Sequence, residues 1–429
     1  MKKRPWLIVS LIFFITFVNF IDRSAISFVI EPLKKEFHFT DTEFGLILSA
    51  FGFGYLFLTG IGGWLVDKFG SSIIWPVAAI AWSLCLGTLS LATGLWSFVV
   101  LRFLLGVAEG PHYPAVSCTV NNFLPSQIRA KALSFSLAAI PISSAIGAPI
   151  TSYLAANFGW RQMFIIISLA GILWGIVWYY FFKGFSEKHT HKQTKEESIL
   201  PLFPAKKVAT DWRFILFNRT LLANNLSYFA FGYMVFFATL WLPGYLSFQF
   251  GLNLKSIGWY LTLPWLAASL FLPLGGYISH WLYKKTKSFR IAHSHVLWIS
   301  QLLTGLCFLS LSINHSLPVT LFLLSLGVGF GFMPLAIFFH VNIEVASRHI
   351  GAAQGITSSI FSLSGIIAPA ITGWLVDLTG NFQTAFFLLG ILSALGVLIV
   401  IFFHNVEKKL PNEHFLLPLL LAVWRKLDF

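Results

Sequence analysis

Twelve apolar stretches of about twenty residues, separated by polar or Gly/Pro-rich joints, dominate this chain of 429 residues. Each stretch is long enough to cross a hydrocarbon core of ~30 Å as a helix. Only helices and closed barrels satisfy the backbone in lipid, and barrel strands would show a ten-residue alternation of apolar and polar positions that is missing here. We therefore predict an all-α membrane protein whose helices lie near 6–30, 44–66, 73–92, 95–122, 131–156, 161–183, 221–249, 256–279, 291–313, 318–343, 350–376 and 382–404.

The distribution of charge predicts the topology. The formal net charge is +13, yet only 10% of residues are charged and 57% are hydrophobic. Most of the Lys and Arg residues fall on the side that holds both termini, which the positive-inside rule predicts to be cytoplasmic. This explains the basic composition without a nucleic-acid partner. We expect a multi-pass protein of the inner (cytoplasmic) membrane with both termini in the cytoplasm.

Two pairs of landmarks indicate an internal repeat. Gly63 near the end of the second stretch is matched by Gly275–Gly276 in the eighth, and Ala148–Pro149 in the fifth is matched by Ala368–Pro369 in the eleventh. The chain therefore reads as two pseudo-symmetric bundles of six helices, an arrangement that places substrate between the halves near the midplane. The predicted boundaries are 1–183 for the first bundle, 184–220 for a cytoplasmic linker, 221–404 for the second bundle, and 405–429 for a tail with a short amphipathic helix.

Charged residues inside the first bundle are the main functional signal. Arg102 and Glu109 are seven residues apart in LRFLLGVAEGPHYP, almost two helical turns, so both point to one face. A charge facing hydrocarbon costs about 2.5 to 3.5 kcal/mol on insertion scales, so that face must look into the protein or a wet cavity. Asp22 and Arg23 form a second charged position. These two could instead be a local ion pair that only tolerates burial.

The second bundle has polar residues in place of buried charges. Its candidates for substrate contact can donate or accept hydrogen bonds but carry no fixed charge: Asn225, Tyr228, Trp241, Ser358 and Ser362. In the first bundle Tyr55 lies among small residues and is either a packing or a cavity residue. No nucleophile, base or metal-ligand constellation appears, so we predict neither an enzyme nor a bound metal or cofactor.

With these residues in view, the chain resembles the major facilitator superfamily, and within it the anion:cation symporter family, over nearly its whole length. NFIDRSAIS, SAFGFGYLF, LRFLLGVAEGPHYPA and LWLPGYL resemble that family's signatures in spans 1, 2, 4 and 7. GGWLVDKFG resembles the superfamily's loop 2–3 motif, which implies a conformational role for Gly63, Asp67 and Gly70. The resemblance implies that Arg23 and Arg102 engage a substrate carboxylate, with Tyr55 nearby, and that Asp22 and Glu109 take part in proton coupling.

Several family positions are altered, so no named substrate is carried over. Thr59 replaces the usual glutamine near the span 2 tyrosine, Ser358 and Ser362 replace two asparagines, Phe20 replaces a tyrosine, and His280 replaces an acid. The charged residues match the family, whereas the residues that would read sugar hydroxyls differ.

The expected function is import of a small organic anion by proton symport, driven by the proton gradient, in a monomer embedded in the lipid bilayer. A bound anion competes with a neighbouring carboxylate for arginine, so that carboxylate then favours a proton, and the coupling is reciprocal. This mechanism expects the four charged side chains to share one hydrated vestibule between the halves. The alternatives are an exporter of metabolites or drugs working by proton antiport, and a membrane sensor that binds without transport.

Overall fold

The computed structural model describes residues 4–182, 211–346 and 349–404. The tail 405–429 with its predicted amphipathic helix, and most of the predicted linker 184–220, lie outside these residues. Twelve helical segments, α1–α12, follow the predicted stretches closely. The first bundle contains α1 Arg4–Phe37, which includes a 3-10 turn at Ile26–Val29, α2 Asp41–Phe69, α3 Ser71–Leu91, α4 Leu95–Phe123, α5 Ser126–Phe158 and α6 Trp160–Phe182. The second contains α7 Arg219–Phe250, α8 Leu254–Thr286, α9 Arg290–Ser310, α10 Leu317–Val345, α11 Ile350–Thr379 and α12 Gln383–Phe403.

Eleven of the described helices are long and apolar enough to cross a membrane. The remaining segment, α4, consists of Leu95–Glu109 and His112–Phe123 with a break at Gly110 and Pro111. Proline lacks the N–H that would continue the helix. The fold class predicted from the sequence, two bundles of membrane-spanning helices, is confirmed. A short helix, Trp212–Phe217, lies within the predicted linker just before α7.

The stretch 31–43, which the sequence leaves as a loop between the first two predicted helices, is largely helical, and this corrects the prediction. α1 runs on through Phe37, and only 38–40 separate it from α2. Thr40 starts α2 with a capping box, because its hydroxyl accepts from the Glu43 N–H while the Glu43 carboxylate accepts from the Thr40 N–H. The charged residues of this stretch therefore lie in the last turns of α1 and the first turn of α2.

Two pairs of helices join the bundles along a seam: α2 packs on α11, and α5 packs on α8. We call the membrane face that holds the N-terminal residue Arg4 the terminal face, and the other the opposite face. Five hydrogen bonds cross the seam among the described residues, and all lie in its half nearer the opposite face. Their donor and acceptor residues are Asp41 and Asp377, Thr42 and Asp377, Ser49 and Ile366, Ser152 and Leu254, and Thr262 and Ala145.

The seam is open toward the terminal face. Gly60 on α2 and Gly351 and Gly355 on α11 have open space where a side chain would be. Near the opposite face, by contrast, a Cβ at Gly45 would lie 2.7 Å from the Pro369 carbonyl oxygen. The structure is thus closed at the opposite face and open at the terminal face.

Within the first bundle, α2 and α4 touch backbone to backbone. A Cβ at Gly54 would lie 2.0 Å from the Phe103 carbonyl oxygen, and one at Gly106 would lie 2.1 Å from the Phe51 carbonyl oxygen. Small residues allow such close approach between membrane helices. This contact holds the aromatic side chains of α2 beside the charged side chains of α4.

Candidate functional site

An ion pair between α1 and α4 is the centre of the candidate site. Nε of Arg23 donates to Oε2 of Glu109 over 2.7 Å. Both side chains are buried. Arg23 therefore pairs with an acid on another helix, whereas its neighbour Asp22 is not its hydrogen-bond partner. The local Asp22–Arg23 pair, which the sequence left open, is not formed.

Aromatic rings from α1 and α2 surround the Arg23 guanidinium. Its central carbon lies 4.9 Å from the ring centre of Phe20, 5.2 Å from that of Phe51 and 4.6 Å from that of Tyr55. The face of an aromatic ring attracts a cation, more strongly where water is excluded. These rings stabilise the guanidinium, and its Nη2 has no hydrogen-bond partner among the described residues.

Arg102 is a buried cation without a hydrogen-bond partner at two of its nitrogens. Its guanidinium carbon lies 4.9 Å from the Phe51 ring centre, on the ring that Arg23 also contacts. Its Nε and Nη1 have no partner among the described residues, although only 1% of the side chain is exposed. A buried guanidinium with unused donors is suited to receive an anion, since carboxylates pair with its planar fork.

Asp22 and Asn19 complete the cluster one helical turn apart on α1. Asp22 is fully buried and its carboxylate faces the Trp82 indole, but neither oxygen forms a hydrogen bond of normal geometry in the described part of the chain. The amide of Asn19 is likewise buried and lies beside the Glu109 carboxylate, but neither this amide nor Oε1 of Glu109 forms a hydrogen bond of normal geometry among the described residues. Buried polar groups are normally bonded, so these atoms are positions for a proton, a water or a substrate.

The four charged side chains lie together and face the protein interior rather than lipid. The expected open vestibule is not seen, however, because Arg23 is 6% exposed and the other three are at most 1% exposed. The surrounding Phe51 and Tyr55 rings and the close α2–α4 contact enclose the cluster. In this state, access from the open terminal face requires movement of these rings.

Polar groups of the second bundle bond mainly to one another. The Thr357 hydroxyl donates to the Asn225 side-chain oxygen at 2.7 Å, and the Asn342 amide donates to Thr357 at 2.8 Å. Asn224 in turn donates to Asn342. Asn225 is therefore part of a network that ties α7, α10 and α11 together.

Tyr228 is a candidate of the second bundle that lies close to the tyrosines of the first bundle. Its ring packs among Phe231, Phe338 and Phe361, and its hydroxyl is within electrostatic range of Tyr55 and Tyr113 across the seam. Three tyrosines, one on α7 and two on the first bundle, thus approach one another between the halves.

The other three candidates of the second bundle lie elsewhere. Trp241 is fully buried in the closed part of the seam, between the rings of Phe44 and Phe382. Ser358 is exposed on α11, and Ser362 is buried one turn further on, with its hydroxyl donating to the Ser358 carbonyl. The structure therefore does not bring Trp241 to the charged cluster.

The loop motif lies at the terminal face, where α2 meets α3. Gly70 has a positive φ of 85°, a conformation that favours glycine, and its N–H closes α2 on the Val66 carbonyl. Asp67 is exposed, and the Cβ that Gly63 lacks would sit 3.9 Å from Pro114 on α4. Gly63 and Asp67 lie in the last turns of α2, and Gly70 forms the short turn to α3.

Sequence reasoning missed two members of the site. Tyr113 lies just past the break that follows Glu109, and it is within electrostatic range of Arg23. Phe51 precedes Tyr55 by four residues and contacts both arginines. For Phe51, the spacing of four residues from Tyr55 within one helix was the feature of the sequence that could have identified it.

A family model described as Major Facilitator Superfamily matches residues 12–293 and 287–427. The chain belongs to the Major Facilitator Superfamily. A hexuronate transporter of Bacillus subtilis is 31% identical to this superfamily member over 409 residues, covering 92% of the chain and 94% of the relative. A protein of Cupriavidus necator named "probable sulfoacetate transporter" is 28% identical, with 94% of each chain covered.

A solved structure gives the same fold for this superfamily member. It is a bacterial homologue of the human lysosomal transporter Spinster in an inward-facing, occupied conformation, with a TM-score of 0.80, 15% identity, and coverage of 95% of this chain and 98% of that one. The chain is therefore a multi-pass membrane transporter of the superfamily, in the group that resembles anion:cation symporters. The prediction that it is not an enzyme is confirmed, because the superfamily consists of transporters.

Proposed function

We propose that this transporter imports a small organic anion together with protons by alternating access. The observation that carries the proposal is Arg102, a buried guanidinium with two unused donor nitrogens beside a second arginine. A buried cation of this kind favours an anionic partner, because charge buried without compensation is costly. The relatives named above, whose cargoes are acids, support the same class of substrate.

Coupling to protons follows from the Arg23–Glu109 pair. A substrate carboxylate that binds Arg23 competes with Glu109 for the guanidinium, and the displaced carboxylate is then stabilised by a proton. Conversely, a proton on Glu109 frees Arg23 for the substrate. Because linkage is reciprocal, anion and proton favour each other's binding, as symport requires. Asp22, buried beside the pair, is the second proposed proton position.

Orientation and direction are part of the proposal. With the terminal face in the cytoplasm of the inner membrane, the structure is an inward-facing form whose site is enclosed, and the site loads from outside after the opposite face opens. Rocking of the two bundles about the seam would carry both ligands across. We propose that one chain completes this cycle as a monomer.

Uptake into proteoliposomes tests the function. With acid outside, radiolabelled galacturonate or galactonate should accumulate against its concentration gradient, and Arg102→Ala or Arg23→Ala should abolish that uptake. Arg161→Ala is the matched control, because Arg161 pairs with Glu36 away from the cluster and both side chains are partly exposed. Accumulation driven only by acid inside would establish the proton-antiport exporter instead. Substrate-induced thermal stabilisation with no flux under either gradient would establish the sensor.

A further inference from the structure

The positive charge of the candidate site is confined to one end. The guanidinium carbons of Arg23 and Arg102 lie 5.2 Å and 4.9 Å from the centre of the Phe51 ring. Both belong to the first bundle. Two cations that share one ring can grip only one end of a substrate longer than a few atoms.

The second bundle supplies no counter-charge for the other end. Among its described residues, every Lys, Arg, Asp and Glu lies at or beyond a helix end, as Lys255, Lys284 and Glu344 illustrate. Its buried amides bond to neighbouring side chains of the same bundle, since Asn225 accepts from Thr357 and Asn224 donates to Asn342, although Oδ1 of Asn224 has no partner among the described residues. The surface facing the site is instead aromatic and hydroxylic.

Resting on the proposed function, we infer that the transporter selects acids whose negative charge lies at one end and discriminates against chains with a carboxylate at each end. The far end of the substrate would meet Tyr228 and its ring neighbours, including Phe361. A hydroxyl or carbonyl there can hydrogen-bond to tyrosine. A second carboxylate there would lose its water without gaining a cation, which disfavours its binding.

Competition among six-carbon acids tests this inference. Galacturonate carries one carboxylate, galactarate carries one at each end, and galactarate monomethyl ester has one of them neutralised at nearly the same length. Galacturonate and the monoester should inhibit labelled galacturonate uptake at similar concentrations, and galactarate should need about tenfold more or worse, the cost of leaving a charged group unpaired. Inhibition is measured on the uptake of labelled galacturonate by the full chain in proteoliposomes.

The outcomes separate the inference from the proposed function. Equal inhibition by galactarate and galacturonate would overturn the one-ended charge inference while leaving anion transport intact. A monoester as weak as the diacid would overturn it as well, because size and not charge would then set the selectivity. Absence of flux for every acid tested would instead remove the proposed function itself.

A separate observation concerns Asp377, near the end of α11 at the opposite face. Its two carboxylate oxygens accept hydrogen bonds from the N–H groups of Asp41 and Thr42, at 2.9 Å and 2.6 Å. These are the first residues of α2, in the other bundle, and the N–H groups of a first helical turn have no partner within their own helix. A carboxylate there also complements the helix dipole.

Neighbouring contacts hold this cap in place. A Cβ at Gly373 would lie 2.2 Å from the Asp41 carbonyl oxygen, so only glycine allows α11 to sit so close. Lys34 at the end of α1 donates to both carboxylate oxygens of Asp41 at 2.8 Å. One residue of α11 thus links the second bundle to the start of α2, which α1 also holds.

The sequence marks Asp377 as a counterpart of the loop motif. GWLVDLTG at 373–380 repeats GWLVDKFG at 63–70, so Asp377 corresponds to Asp67 at the other end of the seam. Asp67 lies at the open terminal face, exposed and without a hydrogen-bond partner among the described residues. Asp377 accepts hydrogen bonds where the seam is closed, and Asp67 is exposed where the seam is open.

We infer that Asp377 is a positioning residue of the transport cycle, whose cap on α2 holds the opposite face shut and must release before the site can open there. Opening separates α2 from α11, which breaks both hydrogen bonds at once. Loss of the carboxylate should therefore shift the population toward the form open at the opposite face.

Cysteine accessibility tests this inference in the full chain. Ser49 is buried in the closed part of the seam, so in a background with Cys85, Cys118 and Cys307 replaced, Ser49→Cys reports opening of the opposite face to a membrane-impermeant maleimide. Asp377→Asn and Asp377→Ala should raise its labelling rate by about fivefold or more, the size of a usual coupling between sites. Asp377→Glu should restore the parent rate.

The control is Thr379→Ala, because the Thr379 hydroxyl bonds only within its own helix end and to Asn381. Thermal stability in detergent shows that each variant is folded. If folded Asp377→Ala and Asp377→Asn variants label at the parent rate, the cap does not hold the face closed and the inference is overturned.

Discussion

Arg23 and Glu109 join α1 to α4 through a 2.7 Å hydrogen bond inside a cluster that water scarcely reaches. One further cation, Arg102, and one further acid, Asp22, share this interior without hydrogen-bond partners at most of their polar atoms. The cluster thus contains one formed ion pair beside two charged groups, Arg102 and Asp22, that have unused hydrogen-bonding atoms. Substrate and proton can each exchange with a member of this set, which is how a small number of side chains could couple the two.

Replacing Glu109 with Gln should separate proton coupling from substrate exchange. The amide keeps the shape but carries no exchangeable proton, so counterflow of labelled for unlabelled substrate should persist. Accumulation driven by a proton gradient should fall by about 5- to 150-fold, the usual range of coupling between two sites. Both fluxes are measured in the same proteoliposome preparation. Full gradient-driven accumulation by this variant would remove Glu109 from the coupling role.

Asp22→Asn is the companion test for the second acid. Because Asp22 is fully buried and forms no hydrogen bond of normal geometry among the described residues, and an amide oxygen can still face the Trp82 indole, a neutral amide there should not lower thermal stability. Gradient-driven accumulation should nevertheless decline, because the second proposed proton position is lost. An unchanged accumulation ratio across pH would show that Glu109 alone carries the coupling.

The two arginines should differ in their effect on stability. Arg23→Met leaves Glu109 buried without its partner, and breaking a buried ion pair in this way costs about 3 to 5 kcal/mol. Arg102→Met removes a buried cation whose Nε and Nη1 are unpartnered, so stability should be unchanged or higher. Thermal unfolding in detergent compares the two, and uptake should be lost in both.

The pair can be checked by a double substitution. Arg23→Met combined with Glu109→Leu removes both charges and should recover much of the stability lost by Arg23→Met alone. A double variant as unstable as the single one would mean that the pair is not the origin of the loss.

Much of the fold and part of the site follow from the sequence. The apolar stretches set the helices, because lipid leaves the backbone no alternative partner, and the Arg102–Glu109 spacing places both residues on one face. The sequence could not supply the partner of Arg23, since Asp22 is adjacent in sequence whereas Glu109 comes from another helix. That choice depends on how α1 packs against α4.

Local sequence patterns were also insufficient to predict the position of Trp241 in the seam and the end of α1. Trp241 resembles a substrate-contacting aromatic residue in sequence, but the approach of α2 to the second bundle buries it against Phe44. The continuation of α1 through Phe37 was missed because polar residues in 31–43 suggested a loop. Burial in both cases depends on which bundle surfaces meet, and this is not a local property of the chain.

The contact between α2 and α4 should be sensitive to a single methyl group. A Cβ at Gly54 would lie 2.0 Å from a backbone carbonyl oxygen of α4, so Gly54→Ala must push the helices apart and displace Phe51 and Tyr55 from the arginines. We expect a lower yield of folded protein and loss of uptake. Gly60→Ala is the matched control on the same helix, because no atom lies within 4 Å of the position that its Cβ would take. Equal behaviour of the two variants would contradict the proposed role of this contact.

His112, next to the break in α4, should hold helices together and take no part in coupling. Trp75 Nε1 donates to its Nδ1 at 3.3 Å, which leaves the proton on Nε2, and Nε2 lies 3.4 Å from the Thr16 hydroxyl, which itself donates to the Ile12 carbonyl. Both ring nitrogens are therefore used by helices α1 and α3 in the neutral form. His112→Gln keeps one acceptor and one donor, so we expect the pH dependence of uptake to stay unchanged while thermal stability falls modestly. A shift of the pH profile as large as that of Glu109→Gln would instead make His112 a member of the proton pathway.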